Sequence, residues 1–151
     1  MINESRLVDL FLKLIHIDSP SLGEKECVAW TKQYLLNLGL QVEEDGAGAL
    51  IGGNGNNLIA TLPGNKPGAP RVFLSAHFDT VEPTAGLEVE EAEGVFRSKS
   101  DTILGADDKG GMAPAIEAVN ALIETGAPHG DVVLLLSVAE EIGLKGAEAL
   151  K

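Results

Sequence analysis

The sequence predicts an α/β protein, a layered α/β/α domain around a mostly parallel central sheet. Three observations predict it. Two helical patterns open the chain, and several strand-like runs follow. The two most apolar runs, Arg71 to Ala76 and Asp131 to Val138, read as buried strands. A helical pattern separates them and another follows the second run, and alternating strands and helices build a parallel sheet. A length of 151 residues suits one domain with its own core, and 44% hydrophobic against 23% charged residues argues for a folded chain.

Taken in order, Leu7, Leu10, Phe11, Leu14 and Ile15 recur at the spacing of a one-faced helix. Pro20 closes that stretch, because the residue before a proline is driven out of helical geometry. Ser21 with Glu24 reads as a capping box that opens a second helix. Val28, Trp30, Tyr34, Leu35 and Leu38 lie along it, and Gly39 stops it. Leu40 to Glu43 reads as a short strand and Asn57 to Leu62 as another, with Gly52, Gly53, Asn54 and Gly55 as the turn region before it. A loop rich in Pro and Gly over 63–68 leads into Arg71 to Ala76, whose continuous apolar character predicts a strand covered on both faces. Residues 87–98 form a hairpin that turns near Glu93-Gly94. Gly111 to Thr125 is a helix with Met112, Ala115, Ile116, Val119, Leu122 and Ile123 as its apolar positions, and Pro114 is tolerated in its first turn. Asp131 to Val138 is the clearest buried strand. A last helix begins near Leu144 and continues to the chain end.

Eleven basic and 23 acidic side chains give a net charge of −12, which repels nucleic acid phosphates and anionic membrane surfaces. Neither nucleic acid nor membrane is therefore an expected partner. No apolar run is long enough to cross a bilayer. Asn3, Glu4, Arg6 and Asp9 interrupt the first apolar residues, unlike a signal peptide. The single cysteine, Cys27, reads as a small core residue and suits a reducing, cytoplasmic location.

Three clusters carry chemistry. His77 and Asp79 follow the strand Val72 to Ala76, Glu140 and Glu141 follow the strand Val132 to Val138, and Asp107 and Asp108 precede a helix. The carboxyl ends of strands are where open α/β sheets bind ligands. His77 and Asp79 lie on one side of an extended segment, so either both bind a metal or Asp79 accepts the second ring N–H of His77. Asp107 and Asp108 repel each other unless a cation or a helix N-terminus compensates, so they are metal ligands or a capping pair. Of Glu140 and Glu141, one suits a ligand and the other a base toward a metal-activated water, although charged residues also end many strands without a role. Imidazole and carboxylates together favour zinc, with cobalt or manganese as substitutes. His16, beside an apolar helical stripe, and His129, in a loop, need no function.

Taken together, Ser75 to Val81, Leu104 to Gly111 and Ala139 to Ala147 resemble the zinc aminopeptidase and acylase family, which includes peptidase T, acetylornithine deacetylase and carboxypeptidase G. The likeness is strongest to bacterial peptidase T-like tripeptidases. Ile17 to Ser21 and Asn57 to Ala60 fit that branch as well. The resemblance implies His77 as a zinc ligand, Asp79 as its hydrogen-bonding orienter and Asp107 as a bridge between two zinc ions. It implies a cis peptide bond between Asp107 and Asp108. It also implies Glu140 as general base, Glu141 as a further zinc ligand, and attack of a metal-bridging hydroxide on the carbonyl of a short peptide. Family members continue into a further acidic ligand, a late histidine ligand and a lid domain that often dimerises. Residues 1–151 are therefore expected to be the N-terminal part of a catalytic domain, with one weak zinc site or none and little activity alone. The alternatives are an N-acyl amino acid deacylase of the same family, or a non-catalytic piece that self-associates through exposed strand edges.

Overall fold

Helix α1 (Glu4–Ile15) turns Leu10, Leu14 and Ile15 inward, and the Asn3 side chain caps it by accepting from Arg6 N–H. Helix α2 (Lys25–Asn37) buries Cys27, Val28, Thr31 and Leu35. Strand β1 (Gln41–Glu44), helix α3 (Ala47–Ile51), β2 (Leu58–Leu62) and β3 (Val72–His77) follow. The hairpin β4 (Val89–Ala92) and β5 (Val95–Ser98) precedes α4 (Ala106–Thr125), β6 (Val132–Ser137) and α5 (Lys145–Ala149). These elements come from a computed structural model that describes residues 1–150; Lys151, the end of the expected last helix, lies outside the described residues.

The strands form a four-stranded sheet in the order β1-β2-β6-β3 and a separate β4-β5 pair. The α/β class holds, but the sheet is mixed rather than mostly parallel. β3 and β6 run parallel, whereas β2 is antiparallel to both β1 and β6. The helix between β3 and β6 imposes a crossover and hence a parallel pair. Periodicity carries no such information for β2, whose partner lies about 75 residues further along the chain.

One face of this sheet holds the core. Leu58 and Ala60 of β2, Leu134 and Leu136 of β6 and Ala76 of β3 pack with Leu10, Leu14, Val28, Leu35, Met112 and Ile116 from α1, α2 and α4. On the other face, Ala147 and Leu150 lie beside Ser75, Leu135 and Ser137 around a cavity of about 40 Å³. The expectation that β3 is covered on both faces is not met among the described residues. Val72 is 46% and Phe73 62% exposed.

Two local expectations also change, and one element is added. Residues 47–51, to which the sequence assigned no element, form the short helix α3, closed by Gly52 in the left-handed region at φ 78°, and the expected turn region Gly52 to Gly55 follows it. The capping box at Ser21 does not form. Helix α2 starts at Lys25, and neither Ser21 nor Glu24 makes a side-chain cap bond there. Helix α4 begins at Ala106 rather than Gly111, with non-helical backbone at Asp107 and Asp108, so Pro114 lies beyond the first turn.

Candidate metal centre

His77 is the last residue of β3, and its register partner across the parallel pair is Ser137, the last residue of β6. Parallel pairing thus delivers two chain exits to the same sheet edge: Phe78-Asp79 from β3, and Val138 to Glu141 from β6. The N-terminus of α4 brings Asp107 to the same place. His77 Nε2 lies 3.3 Å from Asp107 Oδ1 and 3.7 Å from Glu140 Oε2. One ligand atom each from His77, Asp107 and Glu141 falls within 4.8 Å of the others. The Asp107–Asp108 peptide bond is cis.

Asp79 stands behind this cluster rather than in it. Its side chain is fully buried, and four donors surround it. Ser21 Oγ donates to Oδ2 at 2.6 Å, while the backbone N–H groups of Glu140 and Glu141 donate to Oδ1 and Oδ2 at 2.9 and 3.1 Å. His77 Nδ1 sits 3.4 Å from Oδ1 and 3.0 Å from the Asp79 carbonyl oxygen. The Asp79 residue thus faces Nδ1, with its carbonyl oxygen nearer than its carboxylate, and Nε2 faces the other carboxylates.

The electrostatics follow from these contacts. Burial disfavours the charged His77 ring, but the Asp79 hydrogen bond and the charges of Asp79, Asp108 and Glu140 outweigh it and push the ring up to about 9. Burial likewise disfavours the Asp79 carboxylate, yet His77, Ser21 and the two backbone N–H groups hold it well below the usual range. Burial raises Glu141, helped by the like charges of Asp107, Glu140 and Asp79 and opposed by His77. A cluster of this sign is balanced by a proton on His77 or by a cation.

Asp107 and Asp108 do not form a capping pair. The N-cap of α4 is Gly105, without a side-chain cap bond, and the Asp107 side chain is 83% exposed. Asp108 folds over Gly111, where an added Cβ would lie 2.2 Å from its Oδ1. His16 lies at the end of α1 with Nδ1 against Leu12 O, and His129 lies in a loop against Gly130 O. Neither joins the cluster.

Several supporting residues were not visible from the sequence. Lys109 is fully buried and donates to Ser19 Oγ at 2.8 Å, to Phe78 O and to Cys27 Sγ at 3.4 Å, which ties the α4 start to both neighbouring loops. Asn57 Oδ1 accepts from Val138 N–H at 3.0 Å, and Glu24 Oε1 accepts from Ala139 N–H at 2.9 Å. With Asp79, these acceptors take the four consecutive N–H groups from Val138 to Glu141. The only sequence signal was a polar residue inside an apolar pattern, and for Glu24 the capping reading absorbed it.

A mixed α/β domain that gathers an imidazole and several carboxylates at one strand edge has the donor set of a divalent-metal site. The profile of peptidase family M28 matches residues 57–151, more than half of the chain, and the chain belongs to that family. The crystal structure of aminopeptidase PepT from Bacillus cereus ATCC 10987 superposes with a TM-score of 0.95 at 40% identity, over 99% of this chain and 40% of that one. A tripeptidase from Staphylococcus aureus Mu50 gives 0.94 at 38% identity, over 100% of this chain and 40% of its own. The Bacillus subtilis protein YqjE is 39% identical over 150 residues, covering 99% of this chain and 40% of YqjE. The chain thus spans about 40% of the length of these relatives.

Proposed function

We propose that this chain is the N-terminal part of the catalytic domain of a zinc-dependent, cytoplasmic exopeptidase that cleaves short peptides, with tripeptides as the preferred class. The convergence of His77, Asp107 and Glu141 on one point carries the reading. Their spacing admits one ion after small side-chain movements, and the imidazole–carboxylate set suits zinc. The likeness to an aminopeptidase and a tripeptidase at 38–40% identity supports the substrate class.

His77 binds through Nε2, because Nδ1 faces Asp79. Asp107, exposed at the rim, and Glu141 would supply the carboxylate ligands. Bound zinc supplies a Lewis acid that polarises the scissile carbonyl and acidifies a water. Glu140, whose Oε2 lies on the Nε2 side of His77, would act as the general base, accepting a proton at its carboxylate and returning it to the leaving amine. Asp79 orients two groups at once: the ring of His77, and the backbone that carries Glu140 and Glu141.

Calorimetric titration of the chain with zinc is expected to show one weak site that His77→Ala weakens more than about tenfold. Equal binding by both proteins would overturn the assignment. Only three ligand residues converge among the described residues, so tripeptide hydrolysis by the 151-residue chain is expected to be far below that of a chain of the relatives' length. Preference of such a longer chain for N-acyl amino acids over tripeptides would replace the peptidase reading with a deacylase.

A further inference from the structure

Glu24 is the one fully buried carboxylate near the centre that the proposed chemistry does not use. It lies at the start of α2, remote in sequence from every ligand. Its Oε1 accepts two backbone N–H groups, from Leu22 and from Ala139, each at 2.9 Å. Both are non-glycine residues held in the left-handed region, Leu22 at φ 71° and Ala139 at φ 52°. A side chain there is strained, so these turns persist only if neighbouring contacts hold them. Each turn delivers a group to Asp79. Ser21, next to Leu22, donates its hydroxyl, and Glu140 and Glu141, next to Ala139, donate their N–H groups.

We infer that Glu24 is a positioning residue for the metal centre: through one carboxylate oxygen it locks the two left-handed turns that place Ser21, Glu140 and Glu141 around Asp79. The inference rests on the metal-site reading above, and it deepens that reading with a residue that touches neither metal nor substrate. The lock needs an acceptor of the right length rather than a charge. Oε2 makes no hydrogen bond among the described residues, so an amide NH2 fits in its place without displacing a partner. A shorter side chain does not reach Ala139, and an apolar one leaves both N–H groups buried without a partner.

The test compares the chain with Glu24→Gln, Glu24→Met and Glu24→Asp, using zinc calorimetry and residue-resolved amide hydrogen exchange. Glu24→Met is expected to bind zinc about tenfold or more weaker, as for loss of an outer-shell partner. It is also expected to lose protection at Leu22 and Ala139 while Leu134, in the centre of β6, stays protected. Glu24→Gln is expected to remain within about threefold of the parent in affinity and to keep both amides protected. If Glu24→Met does not fold, Glu24→Asp carries the same expectation, because it keeps the charge and loses the reach. The inference is overturned if Met and Gln weaken binding equally, if the acceptor-free variant binds zinc like the parent, or if, in a variant that folds, Leu134 loses protection together with Ala139. Should the parent itself bind no zinc, the metal reading fails. The exchange arm then still decides the lock: selective loss at Leu22 and Ala139 supports it, and unchanged or global exchange overturns it.

Discussion

Asp79 shows how much of the centre depends on one buried side chain. It accepts from Ser21, Glu140 and Glu141 and faces His77, so its loss strands four polar groups. Asp79→Ala is expected to cost about 3–5 kcal/mol of stability, the range for breaking a buried charge pair, as measured by urea unfolding. The same pair sets the pH response of the metal-free chain. The folded His77 value, pushed up to about 9, lies above the ordinary 6.5, so the folded state holds a proton that the unfolded state has released. That contribution is fully present below about pH 6.5 and is lost as pH rises through about 9. Asp79, held low, acts on the other limb: its contribution is present above the ordinary carboxylate range and is lost in strong acid. Stability of the metal-free chain is therefore expected to decline between about pH 6.5 and 9. His77→Gln should flatten that decline in unfolding curves taken across the range; an unchanged slope would place its cause elsewhere.

Among the elements, strand exits and helix starts decide the geometry, and the close approaches there leave no room for a side chain. A Cβ on Gly146, in α5, would lie 2.0 Å from Val138 O and 2.8 Å from Asn57 Oδ1. Gly146→Ala would push directly on the backbone held by Asn57, one residue before the Ala139 turn. It is expected to cost about 1–3 kcal/mol, the usual penalty of overpacking, and to weaken zinc binding in the same preparation. Wild-type unfolding and binding would show that α5 gives way freely. The elements themselves were largely legible. Helices α1 and α2, the hairpin turn at Glu93-Gly94 and strand β6 lie where periodicity and turn residues put them. Helix α3 was not legible, because five residues that include Gly48 and are flanked by Gly46 and Gly52 carry too little periodicity to stand out from a turn. The capping box at Ser21 failed because its two side chains found tertiary partners: Asp79 for Ser21, Ala139 N–H for Glu24.

For the whole molecule, the covered and uncovered faces of the sheet matter most. β3 is one of the two edge strands of the sheet, β1 being the other, and Val72 and Phe73 are exposed on it. Open apolar edges recruit other strands. The 151-residue chain is expected to self-associate through β3 whether or not zinc is present, and Phe73→Lys should shift light scattering toward the monomer. A parent chain that stays monomeric across concentrations would count against this. None of the helices described is long and apolar enough to cross a membrane.

The three clusters around His77, Asp107 and Glu140-Glu141 were determined by the sequence alone, as were the α/β class and the positions of the main strands. Local spacing carries that information: a period near two or near 3.6, and polar groups set at the ends of apolar runs. Tertiary structure alone decided the direction of β2, the bare face of β3, the withdrawal of Asp79 behind His77, and the shared oxygen of Glu24. Each of these depends on which distant segments meet. A buried carboxylate takes whatever donors the fold brings to it, and besides the near neighbours Leu22 and His77 those donors lie 58 to 115 residues away in the chain.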